Sequence, residues 1–257
     1  MNKYELYNID CINLSVKNIS LVYLDPPYSC KEEDAYYGKE SSFDGFINYI
    51  VDRLKIIKDC ILPDSNVFIH MDYKAIHYIK VEMDKIFGRK NFQNEIIWCF
   101  TNPGSPSKWL PRKHQTILWY GMGDYYFNLP RISYTSKLNV GGKTSWSKEK
   151  KPVENYYGKG KPLEDWWIDV PAICRNESEK VGYATQKPNK LMTRIIENWS
   201  REGDRVLDPF CGSGSFLANA VKLNRYAIGC DENPTAIEIT KNRIEKNKQE
   251  SIYDDEN

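Results

Sequence analysis

Residues 25–28, Asp25-Pro26-Pro27-Tyr28, directly follow the apolar run "ISLVYL" (19–24). An acid and an aromatic ring on a backbone stiffened by two prolines suit one kind of chemistry. The exocyclic amine of a nucleobase is a poor nucleophile, because its lone pair is delocalised into the ring. If Asp25 and the main-chain carbonyl of Pro26 accept the two amine hydrogens, the nitrogen becomes more tetrahedral and its lone pair can face an electrophile. A fixed proline φ holds that carbonyl still without an ordering cost at each turnover. Tyr28 would stack on the base, a contact worth roughly 1–3 kcal/mol per base in single-strand binders. A plainer reading is also open, in which Pro-Pro stops the strand and Asp and Tyr are ordinary turn residues.

A second stretch, "RVLDPFCGSGSF" (205–216), reads as a strand, a turn carrying Gly212 and Gly214, and a helix. Such a turn lets the backbone approach a ligand and aims free amides at it. The next strand ends at Asp231, placed to accept hydrogen bonds from ribose hydroxyls. Together they suggest an adenosine-bearing cofactor. The dinucleotide pattern is incomplete, with Leu217 where a third glycine would stand, and helix–strand packing or helix capping would explain either feature alone.

The elements that must position these residues alternate. The strand 19–24 precedes a helix over 43–62 with Phe43, Phe46, Ile47, Ile50, Val51, Leu54 and Ile57 on one face. "NVFIHMD" (66–72), helical 74–88, "NEIIWCF" (94–100) and "QTILWYG" (115–121) continue the pattern, which predicts an α/β fold with a largely parallel sheet. From 122 to 180 the periodicity stops, as in an insertion. Helix 189–200, strand 205–210, helix 215–224 and strand 226–231 follow, then a helix capped by Asn233 with Pro234 at its first position. The expected division is therefore 1–121, an insertion over 122–180, 181–250, and a frayed tail over 251–257.

The 36 basic and 35 acidic side chains nearly cancel, so affinity for a polyanion must come from a local patch. Seven single cysteines without a C-x-x-C pair, and three histidines without ligand spacing, argue against a metal or disulfide framework. The amino terminus lacks a secretion signature and no apolar run is long enough for a bilayer, so a cytoplasmic protein without a membrane partner is expected.

Four motifs in this order, "DPPY" (25–28), "RKHQTILWY" (112–120), "TQKP" (185–188) and "LDPFCGSGS" (207–215), resemble the β group of S-adenosylmethionine-dependent DNA amino-methyltransferases. Related ribosomal RNA and protein-glutamine enzymes carry a similar tetrapeptide but place the glycine turn first. The resemblance covers nearly the whole chain except the insertion. It implies a Rossmann-like methyltransferase fold, with a mostly parallel sheet, helices on both faces, circular permutation and a small inserted target-recognition region. It also implies S-adenosyl-L-methionine as cofactor. Asp208, Phe210, Gly212 and Gly214 would lie around its methionine part, Asp231 on its ribose, and Asp10 near its adenine amine, although Ile9 stands where the family usually has glycine. Thr185, Gln186 and Lys187 would close over the cofactor, with a solvated charge at a helix start as the other reading of Lys187. Asp25, Pro26, Pro27 and Tyr28 would be catalytic, and no cysteine would act as a nucleophile.

In the family it resembles, Asp at the first tetrapeptide position goes mostly with adenine N6 and Ser with cytosine N4, so the resemblance implies adenine in double-stranded DNA with the base flipped out. Cytosine-N4 or RNA-base methylation remains the alternative, and a non-catalytic DNA-binding module is the alternative from another class. A homodimer and a cognate restriction endonuclease are partners that the resemblance admits. Residues 131–161 carry six net positive charges among Tyr134, Trp146, Tyr156 and Tyr157, a composition suited to nucleic acid. Lys143, Lys148, Lys150 and Lys151 there, with Lys108, Arg112 and Lys113 in "NPGSPSKWLPRKH" (102–114), are the candidate DNA contacts. Segment 29–42 is a candidate lid, with a disordered surface loop as the equal alternative.

Overall fold

The computed structural model describes residues 3–27, 42–100, 106–132, 161–173, 179–183 and 185–255. Tyr28, the candidate lid except Ser42, and Lys143, Lys148, Lys150 and Lys151 lie outside the described residues. Two compact units are distinguished: Met1–Phe127 with Asp165–Asn257, and Asn128–Glu164.

In the larger unit, strand β1 (Tyr4–Tyr7) and a 3-10 turn (Cys11–Asn13) precede β2 (Ile19–Leu24). Helix α1 (Phe43–Cys60) starts at Ser42, whose hydroxyl accepts from Gly45 N at 3.0 Å. β3 (Ile61–Met71), α2 (Ile76–Met83), β4 (Phe92–Cys99) and β5 (His114–Gly121) follow. In the smaller unit, β6 (Arg131–Ile132) pairs antiparallel with β7 (Lys161–Pro162). The chain re-enters the larger unit through β8 (Trp166–Trp167), then α3 (Asn189–Trp199), β9 (Arg205–Asp208), α4 (Ser215–Lys222), β10 (Tyr226–Cys230) and α5 (Pro234–Asp255).

The eight-stranded sheet has the order β1-β10-β9-β2-β3-β5-β4-β8. Pairing is parallel from β1 through β3 and between β4 and β8, and antiparallel on both sides of β5, so β5 alone among these strands runs against the rest. The sheet is largely parallel, as expected, and β5 is the departure: it forms a hairpin with β4, with no crossover helix among the described residues between them. The sequence pattern also missed β1 and β8, which are too short to show a period.

Two-residue periodicity sorts side chains between two helix layers. Val22, Leu24, Val67, Ile69 and Met71 pack with Phe46, Ile50, Leu54 and Ile57 of α1 and Ile76, Ile79 and Met83 of α2. On the other face, Tyr23 stacks on Phe216 of α4 with centroids 5.3 Å apart, and Phe68 meets Trp199 of α3 edge-on at 5.2 Å. α5 opens as expected, with Asn233 Oδ1 accepting from Thr235 N at 3.0 Å. It continues to Asp255, through most of the segment read as a frayed tail.

Candidate active site

β2 and β9 are parallel neighbours in the register Leu21↔Val206 and Val22↔Leu207. Their carboxyl ends therefore emerge together, bringing Asp25 and the glycine turn, some 180 residues apart in sequence, to one edge of the sheet. Pro26 is buried and Pro27 is exposed. The carboxyl ends of neighbouring strands are where open α/β sheets hold ligands.

The glycine turn is tightly determined. Gly212 (φ +47°) donates its N–H to Asp231 Oδ2 at 2.9 Å, and Asn233 N donates to Asp231 Oδ1 at 2.9 Å. Asp231 thus braces the turn through one face of each oxygen and retains lone pairs for a ribose. A Cβ on Gly212 would stand 3.2 Å from Cε1 of Tyr183, so the 179–183 segment lies against the turn. Gly214 (φ +70°) has a different reason to be glycine: a Cβ there would meet Thr240 Oγ1 at 2.7 Å and Cγ2 at 2.8 Å. Its missing side chain lets α4 approach α5.

Asp208 is only 4% exposed and accepts from Phe210 N at 3.1 Å. Burial pushes its carboxyl well above the usual range; the nearby Asp25 and Asp231 push the same way, against the Phe210 N–H and the Lys187 ammonium. Asp231 is raised by burial, against the N–H groups of Asn233 and Gly212. Cys211 is also pushed up by burial, which keeps its thiol protonated and inert.

Of the two readings of Lys187, the structure removes the solvated one. The Lys187 side chain is 8% exposed and its Nζ forms a salt bridge with Asp25 Oδ2, itself on a side chain 15% exposed. The backbone of Lys187 is held as well, because Ser215 Oγ donates to its carbonyl at 2.9 Å. The "TQKP" segment therefore ties the acidic corner to the glycine turn. Gln186 folds that segment: its Oε1 accepts from Val181 N at 2.9 Å and its Nε2 donates to Glu179 O at 2.5 Å. Thr185 is exposed.

Asp10 caps the 3-10 turn by accepting from Ile12 N at 3.0 Å, and Arg53 grips both its oxygens, with Nε–Oδ1 at 2.9 Å. Burial works to raise its carboxyl, but the Ile12 N–H, Arg53 and Glu232 outweigh it and hold Asp10 below the ordinary range. Arg53 escaped the sequence reading; its signal was a charge one turn beyond Tyr49, whose ring it covers at 3.1 Å. A buried pair beneath the site was also missed: Tyr23 Oη and His70 Nδ1 share a hydrogen bond of 2.7 Å. Lys108 and Arg112 are exposed and Lys113 is half-buried, in the β4–β5 loop at the same sheet edge.

Lys187 pairs with Asp25 and acts on Asp208, while Asp231 is held by the glycine turn, and burial raises both Asp208 and Asp231. Carboxyl oxygens so placed can accept hydrogen bonds from ribose hydroxyls.

The family model described as DNA methylase matches residues 19–242. The type II methyltransferase M.HpaI of Haemophilus parainfluenzae is 29% identical over 91% of this chain and 70% of its own length. M.BamHI of Bacillus amyloliquefaciens is 30% identical over 98% of this chain and 61% of its own, so the chain spans less than two thirds of that relative. The solved M1.HpyAVI–SAM complex superposes with a TM-score of 0.64 at 19% identity, covering 94% of this chain and 98% of the other, which supports the fold.

Proposed function

The chain belongs to the DNA methylase family of S-adenosylmethionine-dependent DNA methyltransferases, and from that premise we propose that it methylates the N6 amine of a flipped-out adenine at specific sites in double-stranded DNA. The observation carrying this reading is the β2–β9 register, which puts Asp25 beside the glycine turn. Asp at the head of the tetrapeptide favours adenine.

S-adenosylmethionine, when bound, supplies an electrophilic methyl group on a cationic sulfur. Asp208, Phe210, Gly212, Gly214 and Asp231 would hold it, with Asp10 toward its adenine and the 185–187 segment closing over it. Asp25 and the Pro26 carbonyl accept the hydrogens of the target amine and turn its lone pair toward the methyl carbon. Lys187 fixes the Asp25 carboxyl in place. Pro26 is buried, and its own fixed φ together with the limit that Pro27 sets on its ψ restrains the carbonyl. No covalent enzyme intermediate is required.

Asp25→Ala should keep cofactor binding in calorimetry and lose tritium transfer from labelled cofactor to DNA; substantial residual transfer would remove Asp25 from its role. Digesting the product to nucleosides and weighing the methylated one distinguishes N6-methyladenine from N4-methylcytosine. Residues 122–180 are proposed as the target-recognition region, with Lys143, Lys148, Lys150 and Lys151 on phosphates. Replacing those lysines should flatten the salt dependence of DNA binding and spare cofactor affinity. No helix among the described residues is long and apolar enough to cross a membrane, and a cytoplasmic location is part of this reading. So are a homodimer, addressed by light scattering, and a cognate endonuclease, addressed by whether methylated DNA resists a co-encoded nuclease.

A further inference from the structure

Two large apolar side chains stand out in the β4–β5 loop. Leu110 is 87% exposed, the most exposed of the large hydrophobic residues described, and its neighbour Trp109 is 57% exposed. A large apolar side chain left in water is unremarkable singly; Trp109 and Leu110 in a row, with Pro106 and Pro111 on either side, form a restrained apolar point in the described part of the loop. Residues 106–113 contain three cations, Lys108, Arg112 and Lys113, and no acid.

The sheet fixes where this point stands. Leu24 of β2 is level with Ile69 of β3, Met71 of β3 with Thr116 of β5, and Cys99 of β4 with His114 of β5. The loop joining β4 to β5 therefore leaves the sheet from the same edge as Asp25. Its return arm is anchored there: the Arg112 guanidinium lies 4.2 Å from the ring centroid of Tyr73, just past the end of β3, and 5.6 Å from that of Trp109. Phe100 N donates to Lys113 O at 2.9 Å, extending the hairpin to the base of the loop.

We propose that Trp109 and Leu110 are the wedge that enters the base stack of the duplex and fills the space left by the flipped target, with Lys108, Arg112 and Lys113 on the flanking phosphates. This inference rests on the methyltransferase reading above. The chemistry matches: apolar side chains inserted between base steps hold a distorted duplex open, and cations beside them neutralise the backbone. Within residues 106–113 no acid accompanies the three cations, and Asp72, just past β3, is a carboxyl close enough for its charge to act on Arg112.

The test uses duplexes carrying the enzyme's site, mapped beforehand by modification sequencing, with the target base either normally paired or opposite an abasic position. Trp109→Ala and Leu110→Ala, together, should bind cofactor and melt as the wild type does. They should lose roughly tenfold or more in methyl transfer to the paired duplex and recover most of it on the abasic duplex, where flipping costs little. Trp109→Phe should retain most activity. With 2-aminopurine at the target, wild-type binding should raise the fluorescence and the double variant should not. Equal losses on both duplexes, or no loss on the paired one, would overturn the wedge while leaving the methyltransferase reading intact. A wild type that modifies no site in the mapping step would instead overturn that reading and the wedge with it.

Discussion

Removing the ammonium that holds Asp25, in Lys187→Met, leaves a carboxyl 15% exposed beside Asp208, which is 4% exposed. Unit charges about 4 Å apart attract by about 4 kcal/mol at an effective dielectric of about 20. Deleting one partner of a buried pair typically costs about 3–5 kcal/mol, since the other charge keeps its desolvation penalty and loses its compensation. The lower half of that range applies, because Asp25 retains some access to water. In a domain of this size each kcal/mol moves the melting temperature by about 2–4 °C, so a drop of roughly 6–16 °C is expected. Urea unfolding and thermal melts would measure it, with the double variant Asp25→Ala/Lys187→Met as the decisive companion. Neither charge is orphaned in that variant, so its destabilisation should fall short of the sum of the two single losses by about 1–3 kcal/mol. Strict additivity, or a cost below about 1 kcal/mol for Lys187→Met, would refute the view that this contact organises the acidic corner.

Gly214→Ala should destabilise by about 2–5 kcal/mol, combining left-handed backbone strain with overpacking against Thr240. Thr240→Ala in the same chain should recover part of that loss in a thermal melt, and a Gly214→Ala protein as stable as the wild type would count against the packing role. Asp208 has a folded pKa raised chiefly by burial, so between its free value of about 3.9 and its raised value the folded state holds a proton that the unfolded chain has lost. Stability from this group is full below that window and falls as pH rises through it; Asp208→Asn should therefore gain melting temperature over the wild type at about pH 8 compared with about pH 4. Asp10 is depressed, so its contribution is present above about pH 4 and lost as pH falls through its folded value, and Arg53→Met should weaken that acid limb of the stability profile.

The motifs, the strand-then-helix units and the permuted order were legible from the residues because they are local. A proline fixes its own φ, a two-residue alternation marks its own strand, and Ser42 or Asn233 caps the helix beside it. The resemblance carried by four short motifs supplied the chemistry. What tertiary structure decided depends on partners far along the chain. Lys187 is followed by a proline and a helix, and nothing in its neighbours distinguishes a solvated cation from one buried on Asp25, 162 residues away. That Gly214 must also lack a Cβ because Thr240 stands where it would be is visible only in the folded chain. The reversal of β5 is invisible to periodicity, since a buried strand has the same pattern in either direction, and only the β3–β5 register sets it. That register also carries the β4–β5 loop to the edge where Asp25 stands. Local preference chooses the element, whereas long-range pairing chooses which side chains leave water together, and the chemistry of this site lies in the second choice.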